Sequence, residues 1–133
     1  MREHEINVRV RYAETDQMGV VYHGNYAQYF EMGRVEWLRN IGISYRWMEE
    51  NGVMLPVVSL SMSYKKPARY DDILKVKTIL KSQKSVKIEF DYEIYNEKDE
   101  LLTIGHSILV FVDMKTGRPM AAPEYVKTQL LRI

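Results

Sequence analysis

A single carboxylate stands out in the first part of the chain, where the sequence carries few regular signals. Asp16 lies in a glycine-containing segment, residues 13–24, between a strand-like stretch and the start of a predicted long helix. The first turn of a helix offers unpaired N–H groups and the positive end of the helix dipole, which can hold the oxygen of a polarised carbonyl. A nearby carboxylate can act as a general base for water or attack the carbonyl itself. The arrangement suits acyl-transfer chemistry, although an aspartate in such a loop is more often only a turn former or cap.

The helix that would supply these donors is predicted over residues 25–41. Asn25 is a suitable N-cap, and Gly42 stands where a helix C-terminus often needs a left-handed residue. A second, shorter helix is expected over residues 44–50. The long helix is indicated by apolar and aromatic residues at helical spacing, which are Tyr26, Tyr29, Phe30, Gly33, Trp37, Leu38 and Ile41.

Several segments alternate between apolar and polar residues, or are apolar throughout, as strands are. They cover residues 6–10, 55–64, 73–81, 84–95 and 101–113, with a hairpin turn at 96–99 and a short helix at 123–132. The predicted order is one strand, one long helix and an antiparallel meander of four strands, which is an α+β arrangement. A domain of this size leaves a sheet edge open, so we expect two sheets to pair in a homodimer or homotetramer.

Length and composition indicate an ordinary globular chain and exclude several classes of function. A chain of 133 residues suits a single domain over residues 1–133, and a formal net charge of +1 gives no reason to expect nucleic acid as a partner. No apolar run approaches the about 18 to 20 residues of a membrane span. The charged first residues, Met1 to Glu5, predict no secretory signal.

Cysteine is absent, which excludes disulfides and thiol nucleophiles and fits a cytoplasmic location. The three histidines, His4, His23 and His106, lack the spacing of metal ligands, and no acidic cluster accompanies them. We therefore predict neither a metal site nor a cofactor.

Three stretches resemble a known family. Residues 12–34 follow the pattern Tyr-x-Glu-Thr-Asp-x-x-Gly-Val-Val-Tyr-His-x-Asn-Tyr-x-x-Tyr-Phe-Glu-x-x-Arg, and the chain continues with Tyr64-Lys65-Lys66-Pro67-Ala68 and Tyr70-Asp71-Asp72. These residues resemble the 4-hydroxybenzoyl-CoA thioesterase family, most closely its Tol-Pal-associated acyl-CoA thioesterase branch. The resemblance implies the hotdog fold, an antiparallel five-stranded sheet wrapped around one long central helix. It also implies hydrolysis of a small or medium acyl-CoA to free acid and CoA, without a cofactor.

The same resemblance implies a role for individual residues. Asp16 matches the catalytic carboxylate, and His23 matches the residue whose backbone N–H polarises the thioester carbonyl; the role of its ring stays open. Lys84 falls near a basic segment that contacts CoA phosphates in relatives, but that segment is shorter here. The remaining expected substrate-binding residues are Tyr12, Thr15, Gly19, Val20, Tyr22 and Asn25. Among them, Tyr12 and Thr15 are expected to hold the loop, and Asn25 is expected to order the helix start.

Several alternatives remain open. Glu31 is a rival acid, but it would lie roughly 9 Å along the helix from Asn25, and pairing with Arg34 would also explain it. The small face of Ser59, Ser61 and Ser63 could leave room for a pantetheine or acyl channel, or a helix could pack on it. A non-catalytic module that binds acyl-CoA or an acyl carrier protein would keep the fold and the pocket without the chemistry.

Overall fold

The computed structural model describes residues 2–133 and contains one antiparallel five-stranded sheet, a small three-stranded sheet and three helices. The helices are α1 (Tyr26–Asn40), α2 (Tyr45–Glu50) and α3 (Glu124–Leu130). The strands are β1 (Glu3–Arg9), β2 (Val53–Met54), β3 (Val57–Tyr64), β4 (Ile73–Lys84), β5 (Lys87–Tyr95), β6 (Leu101–Val110), β7 (Val112–Asp113) and β8 (Arg118–Pro119). Met1, part of the charged N-terminal stretch, lies outside the described residues.

The long helix α1 packs against the sheet and forms the core with it. Its apolar side chains are buried as the helical spacing predicts, and so is the alternating face of β5, from Ile88 to Ile94. Two glycines let the layers approach closely. A Cβ at Gly105 would lie 2.5 Å from the Phe30 ring, and one at Gly33 would lie 2.5 Å from Thr78 Oγ1. Larger side chains at these two positions would push α1 away from the sheet.

The strand order differs from the predicted meander. The large sheet runs β1-β4-β5-β6-β3, so only β4, β5 and β6 form consecutive hairpins. The prediction that β3 pairs with β4 is wrong, since β3 pairs with β6 and β4 pairs with β1. Residues 65–72 connect β3 to β4 and pass the start of α1 on the way. This crossover places a second loop beside the segment that contains Asp16.

Element boundaries shift where backbone geometry intervenes. β4 extends to Lys84, and β5 begins only at Lys87, because a tight turn with Ser85 at φ +54° separates them. The predicted strand 101–113 is interrupted at Phe111, after which β7 joins the small sheet. Gly42 adopts the predicted left-handed conformation, with φ +85°.

Strand β3 forms an open edge of the large sheet. Its register with β6 places Leu60, Met62 and Tyr64 on the side of α1, but α1 leaves these residues at least partly accessible. We call these three residues the uncovered strip. The serines of β3 lie on the face opposite to α1, so of the two alternatives left open for them, packing of this helix is wrong. A cavity of ≈ 400 Å³ borders Ser61 and Ser63 there.

No helix within residues 2–133 combines the length and the apolar character that crossing a membrane requires.

Candidate functional site

The segment between β1 and α1, residues 10–25, is compact although it is irregular. It contains two short 3₁₀ turns, Tyr12–Glu14 and His23–Asn25, and a bridge that pairs Thr15 with Val21. The Asp16 N–H donates to Val20 O at 2.9 Å, and the Gly19 N–H donates to Asp16 O at 3.0 Å. Gly19 has φ +78°, which a glycine adopts without strain. These bonds form a tight turn that presents Asp16.

The Asp16 carboxylate is only partly engaged. Its Oδ1 accepts the Met18 N–H at 2.9 Å, as in an Asx turn. Among residues 2–133, no hydrogen bond is made to its Oδ2, and the residue is half-buried. Asp16 therefore does form the turn that its type predicts, and one carboxylate oxygen remains available.

The start of the helix also leaves polar groups available. Tyr22 N–H donates to Glu14 O at 2.9 Å and Asn25 N–H donates to Tyr22 O at 2.9 Å. His23 and Gly24 lie between these two residues, and their N–H groups donate to no acceptor in the described chain. These are unpaired donors beside the N-terminus of α1, the positive end of the helix dipole.

A groove of ≈ 270 Å³ opens beside these donors. Tyr64, at the end of β3, donates from its hydroxyl to His23 O at 3.4 Å, and its ring lies 5.4 Å from the Tyr26 ring. The groove is lined by Val21, His23, Tyr26, Tyr64, Lys65, Lys66 and Pro67. Tyr64 and the lysines belong to the second stretch of family resemblance, which was the signal for their place here, although no role was predicted for Tyr64.

The crossover loop after β3 holds this wall of the groove. Val21 N–H donates to Ala68 O at 2.8 Å, and Ala68 N–H donates to the Tyr26 hydroxyl at 3.4 Å. Val20 forms a bridge with Arg69. Val20 thus joins the two loops through its backbone.

Glu14 is a residue whose importance the sequence did not reveal. It is 6% exposed, and its Oε1 accepts the Arg11 N–H at 2.8 Å and the Tyr29 hydroxyl at 2.9 Å. Its Oε2 accepts Nε and Nη2 of Arg11. Burial opposes ionisation, but these hydrogen bonds outweigh it and hold the pKa of Glu14 below its usual value. Burial and the Glu14 carboxylate raise the pKa of Tyr29. The Tyr29 hydroxyl therefore stays protonated and donates, and the Glu14 carboxylate stays ionised and accepts.

Asn25 orders the helix start differently from the expected N-cap. Its side chain caps no helical N–H; instead Nδ2 donates to Glu14 O at 2.8 Å. The N-cap prediction is therefore wrong in its contact, because the preceding 3₁₀ turn already gives Asn25 a helical backbone conformation. The bond still ties the beginning of α1 to the loop.

The other predicted binding residues line the loop to different degrees. Thr15 Oγ1 donates to Tyr12 O at 2.7 Å, while the Tyr12 ring is 78% exposed and stands edge-on to Tyr70. Tyr22 packs against the His23 ring, with centroids 4.3 Å apart.

Lys84 and Glu31 lie away from this group. Lys84 ends β4 at the opposite end of the sheet from Ile73, which pairs with Arg9 near the loop. At about 3.3 Å per residue the strand separates Lys84 from Ile73 by roughly 36 Å. Glu31 is exposed on α1, and the expected partner Arg34 is buried and contacts Tyr45 and Tyr92 instead. The suggestion that Arg34 pairs with Glu31 is wrong.

His106 lies between two carboxylates, which its position in a strand did not indicate. Its Nδ1 lies 2.8 Å from Asp91 Oδ1 and its Nε2 lies 3.0 Å from Glu89 Oε1, on the face of the sheet opposite to α1. This cluster is separated from the loop of Asp16 by the sheet. Within residues 2–133, no group of three or more acidic or histidine side chains is placed to hold a metal ion.

Comparison with known proteins identifies the family. The model of the thioesterase-like superfamily matches residues 10–130. The chain belongs to the thioesterase-like superfamily. YneP of Bacillus subtilis is 41% identical over 113 residues, which are 85% of this chain and 82% of YneP. The acyl-CoA thioester hydrolase YbgC of Escherichia coli O157:H7 is 34% identical over 119 residues, 90% of this chain and 89% of YbgC.

A solved structure extends the likeness to three dimensions. The DHNA-CoA thioesterase of Staphylococcus aureus superposes with a TM-score of 0.91 at 38% identity and covers 99% of this chain and 94% of that chain. The predicted hotdog fold is confirmed, with its five-stranded antiparallel sheet and one long helix. The prediction of an enzyme of the thioester hydrolase class is confirmed at the level of this superfamily.

Proposed function

We propose that this protein hydrolyses the thioester of a small or medium acyl-CoA to the free acid and CoA. The observation that carries the proposal is the turn of Asp16, which leaves one carboxylate oxygen free and is tied by the Thr15–Val21 bridge to the unpaired N–H groups of His23 and Gly24. A polarising donor and a carboxylate are the two groups that thioester hydrolysis needs. The superfamily and YbgC support the same reaction.

The reaction follows from these two groups. The His23 N–H holds the carbonyl oxygen while negative charge develops on it. In one route, Asp16 takes a proton from water as the water oxygen attacks the carbonyl carbon, and the tetrahedral intermediate then expels the CoA thiolate. In the other, an Asp16 oxygen attacks, the thiolate leaves, and water hydrolyses the resulting mixed anhydride. Both routes give the same acid and CoA.

A second copy of the chain would complete the substrate site. The exposed edge of β3 offers unpaired backbone groups, and Val58 on it is 59% exposed. If two β3 strands pair antiparallel, the partner's Lys84 comes to the same end of the joined sheet as the Asp16 loop. Four strand spacings of about 4.8 Å then separate it from β3 by roughly 19 Å. We propose that Lys84 meets CoA phosphates in this way, across the dimer.

Light scattering with size-exclusion chromatography tests the assembly. We expect a mass of two or four chains and partial dissociation of the Val58→Lys variant, because a charge at the edge disfavours strand pairing. Met114→Lys, at another exposed apolar position, is the matched control and keeps the mass. A wild-type mass of one chain would contradict the proposal.

The non-catalytic binding module is the second candidate, and the superfamily match does not favour it. Thiol release from a panel of short aliphatic, medium-chain and aromatic acyl-CoAs distinguishes the two. We expect the rate of thiol release to be proportional to the enzyme concentration. Binding of acyl-CoA without thiol release would support the module instead. The same assay with acylated carrier protein tests whether that protein is also a partner.

Three further predictions accompany this proposal, on the domain, the family branch and the location in the cell. The large sheet and α1 carry both the core and the loop of Asp16, which supports a single domain over residues 1–133. The Tol-Pal-associated branch and a cytoplasmic location stay predictions, which gene context and cell fractionation test.

A further inference from the structure

Arg34 is a buried cation without a carboxylate partner. It is 6% exposed, and its Nε donates to the Tyr45 hydroxyl at 3.1 Å and its Nη1 to the Tyr92 hydroxyl at 3.3 Å. No ion pair forms between Arg34 and any acidic residue of the described chain. Buried charges in proteins are normally paired, because removing an ion from water costs far more than a neutral hydrogen bond returns.

The two phenols cannot supply the missing charge. Burial raises the pKa of both Tyr45 and Tyr92 above the usual value, although the Arg34 guanidinium opposes the shift. Both hydroxyls are therefore neutral near pH 7. Arg34 stays protonated, since contacts with these two phenols outweigh burial and raise its pKa. The cluster carries a full positive charge in a largely desolvated position.

One nitrogen of the guanidinium makes no hydrogen bond within the described chain. Nη2 of Arg34 makes no hydrogen bond to residues 2–133, and it is not among the fully buried side-chain atoms that lack a partner. Nη2 therefore retains at least a small solvent-accessible surface. A ligand oxygen could approach it there without rearrangement of the Tyr45 and Tyr92 contacts.

The cluster lies along the same face as the proposed reaction centre. The Tyr92 hydroxyl is 2.6 Å from Ser107 Oγ, and Ser107 pairs with Leu60, one end of the uncovered strip. Tyr64, the other end, lines the groove and contacts His23 O. Four residues of strand separate the two ends, which is roughly 14 Å. This length suits a medium-chain acyl group.

We infer that Arg34 selects acyl groups that carry a carboxylate at the end remote from the thioester. The acyl chain would run along the uncovered strip from the groove to the Arg34 cluster, where the carboxylate accepts hydrogen bonds from Nη2 and a phenol. Charge-assisted bonds to a guanidinium in a desolvated site are among the strong ones in proteins. The inference rests on the proposed thioesterase function and adds the substrate class.

Matched pairs of substrates test the inference on the unmodified protein. The kcat/KM for thiol release is measured with hexanoyl-, octanoyl- and decanoyl-CoA and with the ω-carboxylated acyl-CoA of each chain length. We expect the carboxylated member to be preferred by about tenfold or more at one chain length at least, since a site built to bind a polar group discriminates strongly against its absence. Equal or lower kcat/KM for the carboxylated member at all three lengths would overturn the inference.

Variants then assign the preference to Arg34. Arg34→Met should abolish the preference while the plain acyl-CoA is still hydrolysed, and Arg34→Lys should keep part of it. Arg39→Met removes an exposed arginine of the same helix and is the matched control, with an unchanged preference. A preference that persists in Arg34→Met would overturn the assignment. If that variant does not fold, the substrate pairs on the wild-type protein and Tyr45→Phe, which should lower the preference, decide.

The two levels of proposal fail in different ways. Hydrolysis of plain acyl-CoAs without a preference contradicts only the role of Arg34. Absence of thiol release with every acyl-CoA contradicts the proposed function, and the inference falls with it.

Discussion

Two sides of the loop between β1 and α1 differ in how completely their polar groups are satisfied. On the anchored side, Glu14 accepts hydrogen bonds on both carboxylate oxygens, and its carbonyl accepts two more, from Tyr22 and Asn25. On the open side, Asp16 uses one oxygen for Met18, while the N–H groups of His23 and Gly24 have no acceptor among the residues described. Two acids only two residues apart thus have opposite environments.

The difference teaches how a short irregular segment can hold reactive groups in place. Every bond on the anchored side joins the loop to α1 or to itself, so the backbone of the loop is fixed before any substrate binds. On the open side, one carboxylate oxygen and two backbone N–H groups stay without hydrogen-bond partners, while the loop around them remains ordered. Groups held this way can stabilise charge without reorganising during the reaction. The contrast predicts activity effects on one side and stability effects on the other.

The largest effect is expected for Asp16→Asn. The amide can still accept the Met18 N–H, so the turn is kept, but it can neither take a proton nor attack a carbonyl. Turnover should fall by about 10²- to 10⁴-fold, the usual contribution of such a group. Thiol-release kinetics measures this, and thermal unfolding should show little change. Asp71→Asn, at an exposed aspartate, is the control with normal turnover. Near-normal turnover in Asp16→Asn would remove this residue from the mechanism.

The second effect concerns the backbone donor, which His23→Pro deletes. Proline is tolerated at the first position of a helical turn, and Tyr22 before it has φ −62° and ψ 133°, which suits a residue preceding proline. Turnover should fall by about 10²- to 10³-fold, as for loss of one oxyanion donor. Circular dichroism checks that the fold is retained. A folded His23→Pro protein with wild-type turnover would mean that this N–H does not polarise the carbonyl.

On the anchored side, Glu14→Gln should act on stability first. The four donors around the carboxylate need acceptors, and the glutamine amide nitrogen would face some of them as another donor. We expect a loss of about 1 to 3 kcal/mol in the free energy of unfolding, measured with urea. Glu36→Gln, in an exposed ion pair with Arg39, should cost about 0.5 kcal/mol or less. Equal losses in the two variants would show that Glu14 anchors nothing.

The anchored side should also weaken in acid. Because folding lowers the pKa of Glu14, the folded state favours its charged form, and this stabilisation is present above the unfolded-state pKa near 4.5. It is lost as the pH falls through the lower, folded-state pKa. The difference in unfolding free energy between wild type and Glu14→Gln should therefore shrink between about pH 6 and pH 3. A difference that stays constant or grows over this range would contradict an ionised Glu14.

Local patterns predicted part of this arrangement well. The helical spacing from Tyr26 to Leu38 and the alternation of β5 are periodic over many residues, and burial reproduces both. A pattern of this kind depends only on neighbours in the chain. The pairing of β3 with β6 joins residues about 40 to 50 positions apart, which no local period encodes.

The candidate site shows the same division. Asp16 and the helix start were predicted because they follow one another in sequence and match a family pattern. The role of Glu14 was missed because it depends on Tyr29, fifteen residues away, whose hydroxyl lies within the core. The contact of Tyr64 with His23 O likewise depends on the strand order, since β3 must lie beside the start of α1.

The smallest effect is expected for His23→Ala, which keeps the N–H and removes only the ring. The ring is exposed, packs on Tyr22 and makes no hydrogen bond within the described chain, so its loss should change turnover by less than about tenfold. Measured beside His23→Pro, this variant separates the two parts of one residue. A large fall in both would assign catalysis to the imidazole, for positioning of water or substrate, and would reduce the contrast between the two sides of the loop to one of side chains. A large fall in His23→Pro alone would leave the backbone amide as the group that the anchored side holds in place.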